Sequence, residues 1–259
     1  MTSFPPKPNE EQQPAQQPEG SVPPAPIPPA PIPQVQVTPT PPPQGIPVKI
    51  FVAIPCKDLP LVDFRFVDSW HQVQNTMPPG SYYMPAWQYG IAETRQKLVE
   101  HFLAIPDATH ILFWDTDTIA PISVDQGKPV WLTMLEANHP IVSGTYLNSL
   151  RTGMNAWVGG RPINPATTPN AVPLVDAEDV GFGFIMIYRG IIQQLVEKNI
   201  PKPWFSYRSS ANPAEMLSED FYFLRLIWQH LQIRPKIDTR IRCIHIKTYG
   251  YNTDGTIAG

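Results

Sequence analysis

From residue 48 onward the apolar positions fall in two rhythms. Val48-Lys-Ile-Phe-Val-Ala-Ile54 is almost continuously apolar, is rich in β-branched side chains and stops at Pro55. Such a run reads as a strand buried on both faces, as in a parallel sheet. His110 to Trp114, Pro140 to Tyr146, Phe182 to Tyr188 and Ile241 to His245 read the same way, and Ser81 to Met84 is a shorter strand candidate. Between them the apolar residues shift to helical spacing. Val62–Val73, Tyr89–Ile105, Val130–Ala137 and Gly190–Lys198 are predicted helices, and Ile91, Leu98, Phe102 and Ile105 give the second its buried stripe. Ser218 opens another helix, with Phe221, Leu224, Trp228 and Leu231 on one face. Residues 151 to 173, rich in Gly, Pro, Asn and Thr, predict loops and a short hairpin. Strand, helix, strand in this order predicts an α/β domain with a mostly parallel central sheet and helices on both faces.

Before Val48 the pattern stops. That segment holds half of the 34 prolines and has no aromatic residue between Phe4 and Phe51. It cannot bury enough apolar surface to offset the entropy of ordering, so residues 1–46 are expected to be a disordered, proline-rich tail or linker with polyproline-II character. A tether to a partner protein is one use for such a segment. Residues 47–259 are then the globular part. The formal net charge is −3 and no Lys/Arg run exists, which argues against a polynucleotide partner. Cys56 and Cys243 lie far apart and fit no metal motif, so buried free thiols in a reducing compartment are the default. No apolar run is long enough to span a membrane and no signal peptide is visible, so the expected location is cytoplasmic, or host-cytoplasmic if the chain is viral.

The chemistry concentrates where the strand Ile111-Leu112-Phe113-Trp114 ends in Asp115-Thr116-Asp117. In an extended backbone, side chains two residues apart share a side, so both carboxylates can aim at one point. Two such charges repel unless a cation joins them, and oxygen ligands suit Mg2+ or Mn2+. Capping of the following turn in solvent is the plainer alternative. Arg95 sits on or beside the buried stripe of its helix, where it either snorkels over the helix edge or takes a partner, a ligand diphosphate or one of the two Asp residues. Gly181 and Gly183, in Val-Gly-Phe-Gly-Phe, permit close approach of a ligand or of backbone. Ser218-Glu219-Asp220 reads equally as a helix N-cap with acids in the first turn and as the source of a general base. His245 closes an apolar strand and is a suitable nitrogen ligand for Mn2+ beside carboxylates.

In their order, these elements resemble the GT-A fold glycosyltransferases, similar to the family 2 type and its relatives in phages and bacteria. The resemblance spans about Val48 to Ile246. It rests mainly on Asp-x-Asp, Ser-Glu-Asp-Phe and the late His, with Val-Gly-Phe-Gly-Phe, Ser-Gly-Thr-Tyr and Pro-Trp-Phe in support. It implies a UDP- or GDP-linked sugar donor, with Pro55, Arg95, Asp115 and Thr116 on the donor side. Asp115, Asp117 and His245 would hold Mn2+ or Mg2+ against the diphosphate. Asp220, with Glu219 beside it, would supply the catalytic base, and Gly181, Gly183 and Trp204 would line the sugar or acceptor pocket. The Gln-x-x-Arg-Trp signature of processive synthases is absent, and the acidic residue usual after the first strand has two candidates, Asp58 and Asp63. The acceptor stays open: glycan, protein, small molecule or modified nucleobase. Two other functions compete. One is a non-catalytic GT-A scaffold tethered by its tail. The other is a different divalent-metal enzyme acting on phosphates, such as a nucleotidyltransferase.

Overall fold

The computed structural model describes residues 47–56, 62–87, 89–147, 153–163, 173–208, 217–246, 250–251 and 257–258. All of them belong to the unit Gln36–Gly259. The chain opens with β1 (Ile50–Pro55), α1 (Phe64–Gln74), β2 (Tyr82–Ala86), α2 (Ile91–Ala104) and β3 (His110–Trp114). Three two-residue strands follow, β4 (Thr118–Ile119), β5 (Ser123–Val124) and β6 (Lys128–Pro129), then α3 (Val130–Glu136) and β7 (Ile141–Thr145). Next come β8 (Ala156–Val158), β9 (Arg161–Pro162), β10 (Leu174–Asp176), β11 (Asp179–Val180), β12 (Phe184–Tyr188) and α4 (Arg189–Glu197). The last elements are α5 (Glu219–Leu231), β13 (Lys236–Arg242), β14 (Ile244–His245), β15 (Gly250–Tyr251) and β16 (Ile257–Ala258).

Seven strands form the central sheet in the order β10-β13-β7-β12-β3-β1-β2. Five of them, β1, β2, β3, β7 and β13, run one way, while β12 and β10 run against them. The expected mixed α/β class with a mostly parallel sheet is therefore the one observed. The strand residues explain it by alternation. Phe51, Ala53, Ile111 and Phe113 point into one apolar cluster with Leu98, Val99 and Phe102 of α2, Ile191 and Leu195 of α4, and Phe223 and Ile227 of α5. Ile50, Val52, Leu112 and Trp114 point into the other, with Phe66 and Val73 of α1 and Val130 and Met134 of α3. A sheet apolar on both faces must be covered on both, and the helices do this.

Two elements differ from expectation. The predicted strand Ile241–His245 is split. Its first residues end β13, which starts five residues earlier on the alternating run from Lys236, and Ile244–His245 leaves the sheet to pair antiparallel with β4. The predicted strand from Phe182 begins at Phe184, because Phe182 and Gly183 form a turn. The hairpin expected in 151–173 is β8–β9, turned by Gly159 and Gly160, both at positive φ (60° and 71°). Both cysteines are buried free thiols. Among the described residues no helix is long and apolar enough to cross a membrane.

Candidate active site

The rim formed by the C-terminal ends of β1, β3, β7 and β13 is also where the reversed strand β12 begins, because Phe184 pairs with Trp114. In α/β sheets this rim is the usual place for ligands. A cavity of about 300 Å³ opens there. Asp115, Asp117 and His245 line it together with Ser218, Asp220 and Phe221. Tyr146, Asn155, Trp157 and Gly181 complete the wall.

The backbone after β3 is a turn, in which Thr118 N–H donates to Asp115 O at 3.0 Å. This corrects the premise of an extended Asp-x-Asp. The two carboxylates line one cavity but bond different partners. Asp115 is turned inward, where one nitrogen of Arg95 donates to both of its oxygens at 2.9 Å. Asp117 is exposed and meets Nε2 of His245 at 3.0 Å. The split of β13 from β14 makes that contact. Ile246 N–H bonds Asp117 O, and β14 runs along β4, so His245 is carried across 128 positions of sequence to the Asp turn.

Arg95 is 3% exposed and lies between Asp115 and Glu219, bonding the carboxylates of both. Burial opposes its charge, but Asp115, Asp220 and Glu219 together hold its pKa above the usual arginine value. Of the two partners the sequence left open, the structure supplies Asp115, and it adds Glu219. Glu219 is therefore buried in an ion pair and does not line the cavity. Burial pushes the Asp115 carboxyl up to about 6, against the pull of Arg95 and with help from the charge of Asp117.

Asp220 is placed for a different job. Ser218 offers no side-chain cap to α5; its hydroxyl donates to Asp220 Oδ1, which also accepts Phe221 N–H at 2.8 Å. Oδ2 has no hydrogen-bond partner among the described residues. The carboxylate is thus held through one oxygen, on a residue that lines the cavity.

The two glycines have a specific reason to lack a side chain. A Cβ on Gly181 would stand 2.6 Å from the Tyr146 hydroxyl, and one on Gly183 2.7 Å from it. What approaches these glycines is the Tyr146 ring, whose oxygen accepts Gly183 N–H at 3.0 Å. Burial, followed by the charge of Asp115, keeps this phenol protonated well above its ordinary range. Asn155 braces the same corner, accepting Tyr146 N–H through its side chain and Gly181 N–H through its carbonyl.

The remaining sequence candidates lie elsewhere. Pro55 ends β1 in the buried sheet, and Thr116 sits in the turn between the two Asp residues without lining the cavity. Trp204 is buried in the core, its indole N–H on Ile200 O, and does not line the cavity. Of the two first-strand acids, Asp63 caps α1 and pairs with Arg65, while Asp58 lies outside the described residues. Tyr146, Asn155, Trp157 and Phe221 were not singled out as site residues. The Gly-Gly pair after Trp157-Val158, a hairpin signal, pointed to the element but not to its docking at α5.

Among the described residues, no three His, Cys, Asp or Glu side chains already converge as a metal cluster. Asp117, His245 and the cavity-facing Asp115 are nonetheless a hard, mixed oxygen and nitrogen donor set, which suits Mn2+ or Mg2+.

No family model and no curated protein matches the chain. Solved structures do. A glycosyltransferase involved in glycosylation of the major capsid of PBCV-1 aligns over 76% of this chain and 94% of its own, with 13% identity and a TM-score of 0.34. GalNAc-T7 with UDP, GalNAc and Mn2+ aligns over 79% of this chain and 44% of its own, with 10% identity and a TM-score of 0.44. A197 from STIV covers 80% of this chain and 92% of its own, with 17% identity and a TM-score of 0.53. The likeness to A197 is one of fold.

Proposed function

We propose that this domain is a divalent-metal-dependent glycosyltransferase of the GT-A type, moving a sugar from a nucleoside-diphosphate donor to a hydroxyl acceptor. The observation that carries the reading is one cavity lined by two carboxylates and an imidazole together with a separately held carboxylate. No Lys or Arg lines it among the described residues. A diphosphate would meet only negative charge there, and a divalent cation resolves that repulsion. Asp117 and His245, with Asp115 behind them, would hold the ion. Bound there, it would offset the charge that grows on the departing diphosphate oxygen.

The chain's own groups do the rest. Arg95 fixes the Asp115 carboxylate through both oxygens. Tyr146 presents a protonated hydroxyl beside it. Asp220 Oδ2 takes the acceptor hydroxyl proton. The acceptor oxygen forms its bond to the anomeric carbon, the bond from that carbon to phosphate oxygen breaks, and the nucleoside diphosphate leaves with the electron pair.

The test is a screen of UDP- and GDP-sugars for nucleotide release, with Mn2+ and with chelator. Metal-dependent release is expected, and Asp117→Ala should abolish it. Asp220→Asn should keep donor binding by calorimetry and lose turnover. Full activity in purified Asp117→Ala would remove the metal assignment, and unchanged turnover in Asp220→Asn the base.

A further inference from the structure

Trp157 on β8 and Phe221 on α5 meet edge to face, with ring centroids 4.8 Å apart. Both line the cavity, and Phe221 directly follows Asp220. The other described lining residues are Asp115, Asp117, Asp220, Ser218, Asn155, Gly181 and the Tyr146–His245 ring pair, so Trp157 and Phe221 are the lining side chains that carry no polar group except the indole N–H. Resting on the glycosyltransferase reading, we infer that Trp157 is the acceptor platform and that the acceptor is a neutral pyranoside.

Three observations carry this. A pyranose ring offers a face of C–H bonds and a rim of hydroxyls. The positive C–H face suits the negative face of an aromatic ring, and indole is the largest such surface. A ring seated on Trp157 places its rim next to Asp220, whose Oδ1 is already held by Ser218 and by Phe221 N–H while Oδ2 stays available for a hydroxyl proton. The lining also carries Asp115, Asp117 and Asp220 with no Lys or Arg among the described residues, so with the cation committed to the donor diphosphate no lining side chain pairs with an anionic acceptor such as a uronic acid or a sugar phosphate. Trp157 is held from behind. β8 pairs with both β9 and β11, and Asp179, which faces Trp157 across β11, is buried and bonded to Arg225 of α5. The platform is therefore locked to the helix that carries Asp220.

The experiment uses the full chain and methyl α- and β-pyranosides of glucose, galactose and mannose. Binding is read by saturation-transfer NMR and by the Trp157 indole resonance, identified as the signal missing in Trp157→Phe. At least one pyranoside should bind and shift that indole. Trp157→Phe should retain binding, while Trp157→Ala should weaken it roughly tenfold and raise KM for transfer by a similar factor. If Trp157→Ala does not fold, the indole shift in the unsubstituted protein decides. Failure of every pyranoside to move it, unchanged binding in Trp157→Ala, or acceleration of donor consumption by a Ser/Thr peptide but by no pyranoside overturns the inference. The NMR reading needs neither donor nor metal. Absence of donor turnover would count against the glycosyltransferase reading alone, and donor turnover without pyranoside binding against this one alone.

Discussion

Arg95 is the residue on which the site's charge balance turns. It is buried between Asp115 and Glu219, and removing it would strand two carboxylates away from water. Breaking a buried ion network at one partner costs about 3–5 kcal/mol, on the order of 10 °C in Tm for a domain of this size. Arg95→Met should show that loss by calorimetry, whereas Arg65→Met, on an exposed pair, should change Tm little. Gly181 gives a sharper test. Gly181→Ala should destabilise through its contact with the Tyr146 hydroxyl, by roughly 1–3 kcal/mol. The same change in a Tyr146→Phe background should cost clearly less, and additive losses would exclude the contact. The sequence marked 181 and 183 as places of possible close approach but not what approaches, because Tyr146 is 35 residues away along the chain from the nearer of them. It also singled out Arg95 as a charge on or beside a buried stripe. Choosing Asp115 among the alternatives, and adding Glu219, takes the fold, since both lie on other elements.

At the scale of elements, the strands were readable wherever both faces were apolar, as in β1, β3, β7 and β12, since burial alone dictates such runs. β10 and β4 were not, because two or three residues carry too little pattern, and β14 was read only as the end of the strand from Ile241. Yet the β4–β14 pair is what joins Asp117 to His245. β3 brings a further consequence. His110 is buried in it, and burial pushes its imidazole down to about 4. Between pH 6.5 and 4 the unfolded chain binds a proton there and the folded one does not, so stability falls as pH falls, by at most ~3 kcal/mol. Asp115 acts in the opposite sense: raised to about 6, it favours the folded form as pH drops from 6 toward 4. The difference between variants separates them. His110→Phe should lose less stability from pH 7 to pH 4.5 than the unsubstituted protein, as read by urea unfolding. An equal loss would mean that another group sets the acid limit.

For the whole molecule, the sequence divides at about residue 47 by composition, and we propose that 1–46 contributes nothing to the fold. A chain starting at residue 47 should melt at the Tm of the full chain and release nucleotide from the donor at the same rate. A lower Tm would place part of the tail on the folded unit. The α/β class was legible because the alternation of strand and helix patterns states it directly. Of the candidate site, the sequence could name residues but not their arrangement. Motif order gathered Asp115, Asp117, Asp220 and His245, but nothing local separates Asp220, which faces the cavity, from its neighbour Glu219, which is buried against Arg95.

The countercurrent run of β12 has one more effect. By starting where β3 and β7 finish, it confines the cavity to a single edge of the sheet. The opposite edge keeps ordinary connections such as the turn at Asn138, whose positive φ of 47° marks a tight reversal ahead of β7. A chain grafted to a bead or fused to a carrier through that turn would present its cavity outward, open to a bulky ligand.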